Sequence, residues 1–576
     1  MKNKYIKIVV AALGLNLFGL SSCNDLLDMK PLNEISDASY WQNADQFKLA
    51  ANEFYTYLYT FTDMIGNTPH ADLRSDLLYS RDGANPFSNG TNTIPNTDGN
   101  WTTAFRRIRA INFFLEKAEA YPKPDEIKSL VAEAKFFRAY VYFDLFQLHG
   151  GVPILKNVVT VDSEALSSPR ATREETINFI ISDLESAIPD LRVESSITAA
   201  DKGRISKGAA QGFLGRVALY EGTWQKFRNG NSANNFLDKA IANSKAVIDS
   251  REYQLFAPAA LGDSAQKYMF ILENQQSNPA NITKAANREY ILANRYDFNL
   301  RQIRSNITHA ALNNVIWPTK KLADMYLCQD GLPINKSPLF RGYATTTSEF
   351  QNRDNRMRYT LLMDGVFRFS NENPGARTTW RGDAADNAGS EGRHNSASNS
   401  GYANQKWCTE RRLVDNEEAY DYPVIRYAEV LLTYAEAVFE RNGAISDTDL
   451  DISINLVRNR VNKTMPKLSN ALVSNNGLSM REEIRRERTL ELYLESFRLD
   501  DLKRWKTAEI EMPKPIQGIT WRGTEYERRW SGLGNRLIGN VFTLESSRKW
   551  EEKNYLLPIP TQEINLNKNL TQTTGW

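Results

Sequence analysis

Residues 125–148 constrain the fold more than any other stretch of this 576-residue sequence. Val131, Ala134, Phe137, Tyr140, Val141, Asp144, Leu145 and Leu148 recur at i, i+3, i+4 spacing. They share one face of a long helix, and a face that apolar must be buried against partners. Gly150-Gly151-Val152-Pro153 supplies the stop, glycine at the C-cap and proline beyond it. The same period returns at 173–188, 206–222, 232–250, 425–442, 449–462 and 480–506, and a further helix is expected from about Trp101 to Glu119. Near the start, Phe47, Ala51, Phe54, Tyr55 and Leu58 predict a helix beginning around Asp37 with Ser36 as N-cap. Strands are few, so the expected class is mainly α.

Between 251 and 424 the period fades, Asn, Gly, Ser and Arg rise, and aromatics stand among polar residues. Residues 82–100 read as a loop, and 370–405 as a long surface excursion of the kind that often carries function. In 208–220, Gly215 and Ala218 would let a neighbouring helix approach closely, as in the first helix of a tetratricopeptide unit with 235–248 as its partner. The expected layout is a helical scaffold over 37–250, a loop-rich, ligand-binding subdomain over 251–424, and a second helical segment with a closing tail over 425–576 that packs back on the first. Ser479 and Glu482 form a capping-box start for 480–506. Along that helix Glu487, Glu491 and Glu495 fall at i, i+4, i+8, with Arg488 and Arg498 nearby; a structural ion network or a solvated face accounts for them.

The first 22 residues have export grammar: Lys2, Lys4 and Lys7, then an apolar run from Ile8 to Leu20 that is too short to span a bilayer. Cys23 follows Leu20-Ser21-Ser22, a pattern that resembles a bacterial lipobox, in which Cys23 would be acylated and become the first mature residue. Residues 23–36 then act as a tether from a membrane anchor. The formal charge is +2, but 1–22 hold three lysines and no acids, leaving 68 basic against 69 acidic residues. A nearly neutral body offers no footprint for nucleic acid. Three cysteines exclude a disulfide scaffold, and whether Cys328 and Cys408 pair stays open.

Catalytic signatures are missing. The four histidines form no HExxH, and there is no G-x-S-x-G elbow, Walker A loop or dinucleotide fingerprint. No loop signature marks a metal; no cofactor is implied, and structural calcium in the loop-rich lobe is left open.

Several segments resemble the SusD/RagB family of nutrient-binding outer-membrane lipoproteins of Bacteroidetes. Ala132-Glu133-Ala134 with Arg138-Ala139-Tyr140 and Gly151-Val152-Pro153 is similar to one family segment. Arg426 to Val430 with Tyr434 to Ala437, Asn455 to Arg460, the run from Glu487 to Trp505, and Tyr555 to Pro560 with Glu563, Asn567 and Gly575-Trp576 are similar to four others. The resemblance implies a tetratricopeptide-like scaffold and a non-catalytic protein, anchored by lipid on the outer-membrane surface. It would capture an oligosaccharide, or a peptide in one branch, for a SusC-like TonB-dependent transporter. A glycoside hydrolase and a tetratricopeptide assembly scaffold are the rival readings. Sugars stack flat faces on aromatic rings and offer hydroxyl rims to polar side chains. The family's glycan site accordingly implies Asp72 or Asp76, Arg81, Asn100 and Trp101 in one segment, beside Tyr79, and Tyr290, Tyr296 and Trp317 ahead of Pro318-Thr319. Trp380, Tyr402 and Trp407 form a third set in the long excursion.

Overall fold

The computed structural model describes residues 40–65, 70–80, 82–305, 307–309, 316–364, 400–410, 416–529 and 534–576. The export segment, Cys23, the tether, Ser36, Arg81 and Trp380 lie outside the described residues. The fold is mainly α. Its principal helices are α1 (Ala44–Phe54), α2 (Gly99–Glu119), α3 (Pro124–His149), α4 (Arg173–Ala187), α5 (Lys207–Lys226) and α6 (Ala233–Ser250), then α7 (Lys320–Met325), α8 (Tyr427–Asn442), α9 (Ile454–Val461), α10 (Met480–Glu491) and α11 (Arg498–Arg504).

Local chemistry sets these bounds. Pro124 opens α3 with Asp125 and Glu126 in the first turn, where the helix dipole favours acids. Gly150, at φ 75°, ends it in a backbone region that only glycine enters freely. Thr172 and Glu175 form a reciprocal capping box on α4. The first helix starts later than its periodicity suggests, because Asn43 accepts the Gln46 N–H and caps α1 at Ala44. The helix expected over 449–462 divides in two: Ser453 Oγ donates to the Asp449 carbonyl, so the ladder is interrupted ahead of α9.

Helices α2 to α6 pack pairwise in chain order, and α8 then packs on both α6 and α5. Helix α10 packs on α8, and α11 on α5. Segments on either side of 251–424 therefore meet directly, and one hydrophobic core runs through both. The closeness of α5 and α6 follows from glycine. A Cβ on Gly215 would sit 2.7 Å from Ser244 Oγ, and one on Gly222 would sit 2.9 Å from Leu237 Cγ.

Among the described residues, three small antiparallel sheets accompany the helices: β1 (Leu78–Ser80) with β3 (Ile316–Pro318), β2 (Tyr290–Asn294) with β4 (Tyr422–Arg426), and β5 (Ile516–Thr520) with β7 (Val541–Glu545), which also pairs β6 (Leu537–Ile538). Cys328 and Cys408 are buried and are not joined in a disulfide. Among the described residues, no helix is long and apolar enough to cross a membrane.

The expectation of one helix over 480–506 fails. The chain leaves the helix after Glu491, passes through left-handed backbone at Leu494 (φ 58°) and Ser496 (φ 69°), and re-enters at Arg498. Glu495 thus lies beyond the helix that carries Glu487 and Glu491. The three carboxylates are buried, so they form the structural ion network and not a solvated face. Glu491 accepts from Arg426 at 2.7 Å, Arg356 at 3.3 Å and Arg460. Glu495 pairs with Arg426 at 2.7 Å and Lys406 at 2.5 Å, and Glu487 with Arg356 at 2.7 Å. Glu289, just ahead of β2, closes the network on Arg426 at 2.9 Å and Arg460 at 2.7 Å. Arg356 and Lys406 come from the loop-rich segment, so this network ties it to the C-terminal helices.

Candidate functional site

Most residues singled out for ligand contact are turned into the protein. Asp72 is 2% exposed and accepts the backbone N–H groups of Glu495, Ser496 and Arg498 at 3.1–3.3 Å, so it caps the break ahead of α11. Burial pushes its carboxyl up to about 7, against the lowering effect of those three N–H donors. Asp76 is bridged by Arg498 at 2.8 and 2.9 Å and by Lys321. Burial works against its charge, but those two cations hold the carboxyl well below the usual range. The 72–76 segment therefore clamps the C-terminal helices.

The tryptophans are packed too. Trp101 is 4% exposed and meets His149 edge-on at 5.2 Å. Trp317 is 3% exposed and lies 6.4 Å from Tyr79, its register partner across β1 and β3. Tyr402 and Trp407 are buried as well, Tyr402 donating to Glu349 at 3.0 Å. Tyr290 is half-buried in β2, with its hydroxyl directed to the Met269 carbonyl at 3.3 Å. Tyr296 is buried under the Arg301 guanidinium, 4.7 Å from its ring centre. Of the sequence candidates that the structure describes, Asn100 is the one that is exposed.

Asn100 lies on a polar cleft of about 290 Å³ between the 56–63 segment and the facing sides of α2 and α3. Tyr57 and Tyr59 give it ring surface, Thr60, Thr62 and Thr103 give hydroxyls, and Arg107 and Asp144 give charge. Asp98 receives the Asn100 amide at 3.1 Å, which fixes the side chain at the mouth of the cleft. The Arg107 guanidinium stands 4.8 Å from the Tyr57 ring centre and has no carboxylate partner among the described residues. Periodicity could not find this cleft, because the 56–63 segment that faces α2 and α3 lies well upstream of both in the chain.

His70 closes the inner wall. Its Nε2 lies 2.5 Å from Asp144, which also accepts the Tyr59 hydroxyl, and its Nδ1 is 4.0 Å from Asp500. Burial alone would lower the imidazole, but Asp144 and then Asp500 raise it to about 9. A folded value above the unfolded one of about 6.5 gives stability that is complete below pH 6.5 and lost as pH rises through 9. Wild type should therefore exceed His70→Gln in unfolding free energy by up to about 3 kcal/mol at pH 6, with the gap closing by pH 10. Urea unfolding at both pH values checks this, and a gap unchanged by pH would refute it.

A larger cleft of about 450 Å³ lies beside α7, but its charges answer one another. Lys321 spans Asp76 and Glu511, Lys320 pairs Asp324 at 2.8 Å, and Lys514 pairs Glu511 at 2.9 Å. Among the described residues, no group of three or more His, Cys, Asp or Glu could hold a metal ion. His149 is buried and its ring is pushed down to about 4, chiefly by burial, as befits a packed side chain.

Comparison with known proteins adds to this geometry. The model of the SusD family matches residues 273–576, and a model described as starch-binding associating with outer membrane matches residues 27–219. SusD-like protein P38 of Formosa agariphila is 25% identical over 259 residues, 44% of this chain and 48% of that protein. A SusD-like protein of Bacteroides ovatus is 26% identical over 232 residues, 39% of this chain and 40% of that one. The chain thus spans under half the length of these curated relatives. Among solved structures, a SusD-like carbohydrate binding protein from Bacteroides fragilis superposes with a TM-score of 0.74 at 24% identity, covering 92% of this chain and 99% of that one. A surface glycan-binding protein A from Bacteroides fluxus superposes at 0.60 with 18% identity, over 93% and 100%. At such identities these likenesses show the fold.

Proposed function

This chain belongs to the SusD family, and from that premise we propose that it is a non-catalytic carbohydrate-binding protein of the outer membrane. It would be anchored at the cell surface through acylated Cys23 and deliver oligosaccharide to a SusC-like TonB-dependent transporter. The observation that carries this reading is the family match over 273–576, joined by the starch-binding model over 27–219. The polar cleft at Asn100 and Arg107 supports it chemically, since tyrosine rings and hydroxyl, amide and guanidinium groups converge there as a saccharide requires. We also propose residues 250 and 424 as the limits of the loop-rich subdomain, which the ion network would hold in place over the scaffold.

Binding through this cleft has a direct test. Asn100→Ala and Arg107→Ala should each weaken a saccharide that binds wild type by about 10-fold, the effect of losing one hydrogen bond to a neutral or charged group. Isothermal titration measures it. Unchanged affinity in both variants would move the site elsewhere.

A further inference from the structure

A second pocket, of about 310 Å³, opens between α1, the 200–204 turn and the end of β2. It touches the polar cleft at Leu58, which lines both. Its lining carries five cationic side chains, Lys48, Lys202, Arg204, Arg295 and Arg301, against one carboxylate, Asp201. Three of the five are already neutralised. Lys48 pairs Asp201 at 2.6 Å, Lys202 pairs Glu194, and Arg204 grips Glu133 at 2.9 and 2.6 Å.

Arg295 and Arg301 differ. Neither has a carboxylate partner among the described residues, and each is steadied by neutral acceptors. Arg295 Nη1 donates to the Lys202 carbonyl at 2.6 Å, and its side chain lies across Gly203, where a Cβ would come within 2.8 Å of Arg295 Cδ. Arg301 Nη1 donates to Asn294 Oδ1 at 2.6 Å and to the Arg295 carbonyl at 3.0 Å, with its plane backed by Tyr296. Among the described residues, nothing accepts from the Nε and Nη2 donors of either side chain. Two guanidinium groups held in place, with their forks free, are built to take an oxyanion in bidentate fashion.

We propose that this pocket binds the acidic group of a saccharide, a uronate carboxylate or a sulfate ester, so that the ligand class is an anionic glycan. The inference rests on the carbohydrate-binding reading above. The pocket's size admits a sugar ring, and its excess of positive charge excludes a neutral glycan as the ligand it favours. A nearly neutral chain thus concentrates uncompensated positive charge beside its saccharide cleft.

Calorimetric titration of the whole chain with tetragalacturonate, a chondroitin sulfate tetrasaccharide and maltotetraose tests the proposal. At least one acidic tetrasaccharide should bind 10-fold or more tighter than maltotetraose, with affinity falling in 0.5 M salt. The double variant Arg295→Ala/Arg301→Ala should lose about 10-fold or more of that affinity. Both side chains are exposed, so circular dichroism should show the variant folded as wild type is. Binding of maltotetraose as tight as the acidic probes, or an unaltered variant, overturns this proposal and leaves the carbohydrate reading standing. Binding of no saccharide overturns both.

Discussion

Glu491→Ala is expected to cost about 3–5 kcal/mol of folding free energy, because it strands buried positive charge. Glu491 is fully buried, and it is the acceptor shared by Arg356, Arg426 and Arg460. Burial disfavours its charge, yet the three guanidinium groups hold its carboxyl well below the ordinary range. Removing it leaves Glu289 as the one carboxylate on Arg460 and releases the Gln266 amide, which donates to Glu491 at 3.0 Å. Glu491→Gln keeps the shape and loses the charge, so it should fall on the same side of wild type. Urea midpoints measure both. Wild-type stability in Glu491→Ala would mean that the network is decoration and that apolar packing alone ties the loop-rich segment to the scaffold.

Trp407→Ala should cost a similar 3–5 kcal/mol, the usual range for emptying a tryptophan site in a core. The ring is fully buried, 4.7 Å from Phe270 and 5.1 Å from Phe61, and its Nε1 donates to the Leu494 carbonyl at 3.2 Å. Leu494 belongs to the break between α10 and α11, so Trp407 supports the turn that Asp72 caps. Its own backbone sits at φ 69°, an unfavourable region that the surrounding packing enforces. Saccharide affinity of the folded variant should stay within about 2-fold of wild type, since the ring does not reach solvent. Titration and unfolding of one preparation separate the two effects; loss of affinity without loss of stability would restore Trp407 as a ligand contact.

The sequence displayed the scaffold well, because long helices carry their burial in a 3.6-residue period. Residues 124–149, 173–187 and 427–442 lie within a residue or two of where that period placed them. It misplaced the break after Glu491, because the cause is Asp72, 423 positions from Glu495 in the chain. The same distance hid the role of Asp76. Its bonds to Arg498 and Lys321 turn a carboxylate that resemblance put at the ligand into a clamp. Aromatics in polar loops were named as candidates for stacking on ligand, with packing under the loop as the alternative; Trp101, Trp317 and Trp407 are packed, because loop composition reports polarity and not which face of the loop meets the core. Asn100, named from the family resemblance, sits at the exposed start of α2. Arg107, Arg295 and Arg301, proposed above as ligand contacts, carry no such signal in the sequence: an arginine among 71 basic residues bears no mark of lacking an acidic partner among the described residues until the fold is known.

In the function proposed above, this chain binds saccharide without cleaving it. Titration of the purified chain against a panel of neutral and acidic oligosaccharides, with a peptide mixture alongside, tests it most directly. Saturable heat is expected with at least one saccharide and none with peptide, with the saccharide recovered intact afterwards. Binding of peptide with no binding of any saccharide would contradict it, as would release of shortened products.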